Sequence, residues 1–296
     1  MSAGVDFDFV RWIAARRGSQ EQAAREGAVY AFSGERKFRR TLAMARPVTI
    51  ALEATTRLWR DSARTELLAS AVKVTDQQYP RVYEAARAAG AALRVRVPMV
   101  FAAPSKALHG GLKVKVLGTD DAPHLVVDMD VAERLSDTDL VAAIAHELGH
   151  VQNGHILLAT ALHYLTHSAA FFVRWAVQPA IITLQAWSRR AEVTCDRAAL
   201  LAVKDLDKAL TALVKLELGL DDAAAADYLH AEPEARKGIG RVTELFRSHP
   251  NLGKRIAALR LFAGSALFAM VTGQDATGRP TAADLDKQVA DLISVF

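Results

Sequence analysis

His146, Glu147 and His150, in the run AAIAHELGHVQNGH (142–155), are the residues whose types and spacing could do chemistry. Two histidines four apart share one face of a helix, so both imidazoles can reach a single zinc ion at tetrahedral angles. Glu147 between them faces the water that completes the coordination, where a carboxylate can serve as general base. The pattern predicts one Zn2+ ion, ligated by His146 and His150, and hydrolysis of a peptide bond with Glu147 as the catalytic base. A zinc held by two histidines still needs a third protein ligand and one open position. SRRAEVTCDRAALLAV (188–203) reads as a strong helix with Glu192 and Asp196 four apart. Glu192 is the expected third ligand, and Asp196, one turn on, is placed to hydrogen-bond a ligating imidazole and fix its tautomer. The competing reading of these two acids is an exposed face paired with Arg189, Arg190 or Arg197. Cys195 is the only cysteine. It is expected to face away from Glu192 as a small buried apolar residue, and a single cysteine gives no intrachain disulfide framework.

The motif must be carried by a helix. Ser136 and Asp139 form an S-x-x-D capping box ahead of it, Leu140, Ile144, Leu148 and Val151 make its apolar stripe, and Asn153-Gly154 ends it. Gly149 leaves room there for another backbone or a substrate. Upstream, 69–74 reads as a short strand and 77–89 as a helix that Gly90 ends, with Pro80 in its first turn. LRVRVPMVFAA (93–103), LKVKVLG (112–118) and HLVVDM (124–129) alternate like strands of a small three- or four-stranded sheet. An edge strand beside a zinc site can pair with an extended peptide backbone, although the same strands could equally serve only to pack the helices.

The most hydrophobic stretch is 156–188, with Arg174 its only formal charge. It offers 18 residues before that arginine and 14 after it, the second part holding Pro179. A bilayer span needs roughly 20 apolar residues. Two readings stand: a helix pair buried in the protein or an oligomer, or a hairpin at a membrane surface with Trp175 and Trp187 near the interface and Arg189 and Arg190 on the cytoplasmic side. His163 and His167 are four apart without a carboxylate between them and read as structural rather than as a second metal site. The basic cluster GERKFRR (34–40) reads as a solvated helix face, and no nucleic-acid partner is expected.

With 296 residues, 51% hydrophobic, and 37 basic against 33 acidic side chains interspersed, the chain can bury a sizeable core. Its first twenty residues carry acids ahead of the apolar positions and do not form a secretory leader, so a cytoplasmic location is expected, attached or not to the cytoplasmic face of a membrane. The expected organisation is a helical N-terminal arm (1–60), a catalytic domain (61–275) with the hydrophobic insert 156–188, and a helical tail (276–296).

HELGH (146–150), E-x-x-x-D as Glu192 to Asp196 preceded by SRR, and S-H-P (248–250) followed by Arg255-Ile256 together resemble the zinc metallopeptidase family of HtpX-type proteases and CAAX prenyl endopeptidases, of gluzincin type. The resemblance covers roughly 65–262. It implies an α+β, predominantly helical, zincin-like domain whose small sheet packs on the HExxH helix, with zinc on His146, His150 and Glu192. It further implies Glu147 as general base, His249 beside the site as a donor to the oxyanion, Arg255 in support, and a protein or peptide substrate. Where that family usually carries an Asn-Ala-Phe-like segment, this chain has Lys106-Ala107-Leu108. The multi-span architecture of the prenyl endopeptidases is missing, so CAAX processing is not expected. The alternative function is a non-catalytic or autoinhibited zinc-bound scaffold at a membrane surface.

Overall fold

The computed structural model describes residues 28–42, 45–59, 64–105, 112–167, 171–231 and 251–293. His249, Lys106-Ala107-Leu108 and the side chain of Trp175 lie outside the described residues. Helices α1 (Ser33–Leu42) and α2 (Arg46–Leu58), the latter with Pro47 in its first turn, precede a short α3 (Arg64–Ala69). Then come β1 (Val72–Lys73), α4 (Pro80–Leu93), β2 (Met99–Ala103), β3 (Val114–Thr119) and β4 (Ala122–Asp128). Asp128 caps the short α5 (Met129–Arg134) by accepting the Asp130 and Val131 N–H groups. The motif helix α6 (Asp137–Gln152) follows, then α7 (Ile156–His167) and the 33-residue α8 (Phe171–Val203). The chain continues through α9 (Leu206–Leu218), α10 (Asp222–His230), α11 (Leu252–Ala263), α12 (Ala266–Thr272) and α13 (Ala282–Ile293). Among the described residues the fold is α+β and predominantly helical, with one four-stranded sheet.

The capping box forms as its spacing predicts. The Asp139 N–H donates to Ser136 Oγ at 3.1 Å and the Ser136 N–H donates to the Asp139 carboxylate at 3.0 Å. Leu140, Ile144 and Leu148 are fully buried and place α6 at the centre of the main core, against α4, α8 and α9. Helix α4 passes through Gly90 rather than ending there, and stops where Arg94 takes a left-handed conformation. A Cβ on Gly90 would lie 2.4 Å from the Val97 side chain, so the glycine lets the chain double back over the helix. The return over 95–98 joins no strand, with the Val95 N–H bonded back to the Gly90 carbonyl, so the strand expected over 93–103 begins only at Met99.

The sheet order is β1-β2-β4-β3, with β2 and β4 parallel and the other pairs antiparallel. This leaves β3 as the edge strand facing α6 and α7. The Val116 N–H points off that edge to Glu147 and the Gly118 N–H to Thr160 Oγ1, at 2.8 and 2.9 Å. By the two-residue period the backbone of Val114 points the same way.

In the hydrophobic stretch, Ile156, Leu158, Ala161, Leu162, Ile181 and Leu184 are buried inside the protein. Much of their packing is against α2 and against Leu42 of α1. Two residues assigned to a membrane boundary are interior: Trp187 is fully buried with its indole N–H on Glu35, and Arg189 is 5% exposed. The second half of the stretch is continuous with the carboxylate-bearing helix, because the sequence from 180 to 203 has no breaker and Pro179 is tolerated within α8. Among the described residues no single helix is long and apolar enough to cross a membrane. The pair α11 and α12, bent by 65° at its break, reaches that length and composition together. The basic run of α1 is partly structural: Arg39 binds the carbonyls of Asn153 and Gly154, and Glu35 is buried.

Candidate active site

The site forms where α6 crosses α8. A Cβ on Gly149 would lie 3.0 Å from the Ala198 Cβ and 3.1 Å from the Cys195 Cα, so the space left by this glycine is taken by another helix and not by a substrate. The crossing brings His146 and His150 to Glu192. His146 Nε2 lies 3.3 Å from Glu192 Oε2, and His150 Nε2 lies 3.7 Å from Glu192 Oε1. Donors on a tetrahedral zinc with bonds near 2.05 Å stand about 3.3 Å apart; the His146 spacing matches this, and the His150 spacing, to the other carboxylate oxygen, is somewhat wider. His150 Nε2 is buried without a hydrogen-bond partner among the described residues, as a nitrogen reserved for a metal would be.

Asp196 takes the other side of His146, its Oδ1 3.1 Å from Nδ1. That contact fixes the ring with Nδ1 towards Asp196 and Nε2 towards Glu192. Burial alone would lower the His146 pKa, but Glu192 and Asp196 outweigh it and raise it to about 10. Burial pushes His150 well below its ordinary value; Glu192 opposes this, while His155 and His146 add to it. Arg255 is buried behind the acids, donating to Asp196 at 2.8 and 2.6 Å and to Glu217 at 2.6 Å, with Nη2 3.3 Å from Glu192 Oε2. Glu192 and Asp196 are therefore not the exposed face that their helix alone allowed. Glu147 is held by the Val116 N–H through Oε2 and is 5% exposed.

Cys195 does not face away from Glu192. Three residues apart on α8 the two share a face, and the Cys195 sulfur and nitrogens of His146 and His150 all lie within 4.8 Å of one another. Two candidates for a third ligand thus stand on one helix. Burial first, then Glu192, Glu147 and Asp196, push the Cys195 thiol well above its ordinary pKa. Of the two, Glu192 turns a separate oxygen towards each imidazole.

A cavity of about 260 Å³ opens beside the cluster, lined by His146, Glu147, His150 and Glu192 and by apolar residues such as Ala142 and Leu213. Lys115, half-buried on β3, also lines it. His163 and His167 lie on its wall with ring centroids 4.7 Å apart and planes tilted by 33°. Sequence reading missed two residues. His155 lies 3.2 Å from His150, nitrogen to nitrogen, and Glu35 lies 3.3 Å from His155. His155 is signalled by its place just after the turn that ends the motif helix. Glu35, a lone acid in a basic run, carries no comparable signal.

Residues 117–263 match peptidase family M48. The match takes in the central segment, just under half of the chain. Relatives named by function agree: the chain is 34% identical over 113 residues to the plastoglobule-localized metallopeptidase 48 of Arabidopsis thaliana, covering 37% of this chain and 32% of that protein. It is 25% identical over 168 residues to protease HtpX homolog 2 of Methanosarcina mazei, covering 46% of this chain and 57% of that one. The chain thus spans about a third and somewhat over half of the curated relatives it matches. No solved structure matches it. The matched segment holds His146, Glu147, His150, Glu192, Asp196, Glu217 and Arg255. Glu35 comes from outside it.

Proposed function

We propose that this protein is a zinc-dependent endopeptidase, with one zinc ion held by His146, His150 and Glu192. The observation that carries the reading is the approach of both motif histidines to one buried carboxylate, with His150 Nε2 left unpartnered among the described residues. A zinc ion bound there supplies Lewis acidity, lowering the pKa of a water towards about 7 and polarising a carbonyl.

The chain's own residues do the rest. Glu147, with Oε2 fixed by the Val116 N–H, has Oε1 to take the water proton and deliver it to the leaving amine. Asp196 and Arg255 hold the His146 ring and the Glu192 carboxylate in place. His249 is assigned as donor to the oxyanion. An extended substrate pairs with the open backbone edge of β3 at Val114, with the neighbouring cavity taking an apolar side chain. The substrate is a protein or peptide.

The test is metal analysis with casein cleavage by the wild type and Glu147→Gln. The variant is expected to keep one zinc per chain and lose about 10²–10⁴-fold in kcat. Casein cleavage by Glu147→Gln at the wild-type rate would remove the assignment.

A further inference from the structure

We propose that Glu35 and His155 form a positioning relay for His150, so that a helix outside the M48 segment helps to set the metal site. This rests on the reading of His150 as a zinc ligand. Gly154, at φ 65°, reverses the chain after α6, and the His155 N–H returns to the His150 carbonyl at 3.0 Å. The two rings meet edge to face, 5.3 Å between centroids, with their Nδ1 atoms 3.2 Å apart. On its far side, His155 Nε2 lies 3.3 Å from Glu35 Oε1, long and off-line for a hydrogen bond, so that attraction is mainly electrostatic.

Proton placement follows from the order of the groups. A carboxylate only accepts, so Glu35 draws the His155 proton to Nε2. His155 Nδ1 is then bare, and accepts the proton on His150 Nδ1. That leaves the lone pair of His150 on Nε2, the buried nitrogen facing Glu192. Asp196 makes the same selection at His146 in one step. His150 has two.

Glu35 is placed for this. It is fully buried at the inner face of α1, its Oε1 accepts the Trp187 indole N–H at 2.9 Å, and Arg39 lies 3.9 Å away. The Trp187 ring meets His155 edge to face at 5.3 Å, walling the pair off from solvent. Burial alone would raise the Glu35 pKa, but His155, Arg39 and the indole N–H outweigh it and hold the carboxyl below its ordinary value. A neutral side chain would fill the space between α1 and α8 without that desolvation penalty.

The test uses the full chain and measures zinc affinity by chelator competition together with melting temperature with and without zinc. Glu35→Gln keeps the shape and the acceptor for Trp187 but removes the charge; His155→Gln removes the relay's middle. Each is expected to weaken zinc binding about 10–100-fold and to shrink the zinc-induced rise in Tm, while the zinc-free Tm stays close to wild type. Glu35→Asp is expected to recover part of the affinity. Wild-type zinc affinity in both Glu35→Gln and His155→Gln would overturn the relay. So would equal drops in Tm with and without metal, the mark of a purely structural role. A wild type that binds no zinc would instead overturn the metal reading itself.

Discussion

Arg255 donates through Nη2 to the same Asp196 oxygen that faces His146 Nδ1, at 2.6 and 3.1 Å. The guanidinium therefore acts on the metal cluster through a carboxylate, and its other contacts reach Glu192 and Glu217. Removing it leaves buried negative charge unpaired, which typically costs about 3–5 kcal/mol. Arg255→Met is expected to lower stability by that order in urea unfolding. Arg255→Lys, a point charge without the fork, should recover only part of it. Full stability in Arg255→Met would show that the acids do not depend on this partner.

Glu192 and Cys195 compete for the role of third ligand, and two substitutions separate them. Glu192→Ala is expected to abolish stoichiometric zinc binding. Cys195→Ala should leave zinc content unchanged, because Glu192 already faces both imidazoles. Loss of zinc from Cys195→Ala, measured by metal analysis after dialysis, would reverse the assignment.

Gly149 sits where α6 touches α8. Alanine has the better helix propensity by about 1 kcal/mol, yet its Cβ would press on Ala198 and Cys195 at 3.0 to 3.3 Å. Overpacking of this kind costs about 1–3 kcal/mol. Gly149→Ala is therefore expected to be less stable than wild type on denaturant unfolding, and a gain in stability would mean the crossing is looser than described.

His163 gives a pH dependence. Burial first, then His167 and Lys115, lower its pKa from 6.5 to about 3. Above 6.5 the imidazole is neutral folded or unfolded, and below about 3 it is protonated in both. Between them only the unfolded chain holds the proton, so stability rises with pH across that window. Tm measured from pH 4 to 7 should rise less steeply in His163→Gln than in wild type. Identical slopes would place the neutral histidine elsewhere.

The local features of this protein were legible in its sequence because they depend on neighbours a few residues away. Helical spacing joined His146 to His150, Ser136 and Asp139 predicted their own capping box, and alternation located the strands. The link from Glu192 to the histidines came from the chemistry of zinc, which requires another ligand, together with a resemblance spanning several motifs. Tertiary structure decided what lies between elements. Only the crossing at Gly149 put Cys195 beside the histidines, and only the packing of α1 against α8 buried Trp187 and set Glu35 behind His155, more than a hundred residues along the chain. Hydrophobicity says that 156–188 must leave water; it carries no information on whether protein or lipid replaces it. The packing of α7 and α8 supplies protein around the described part of that stretch.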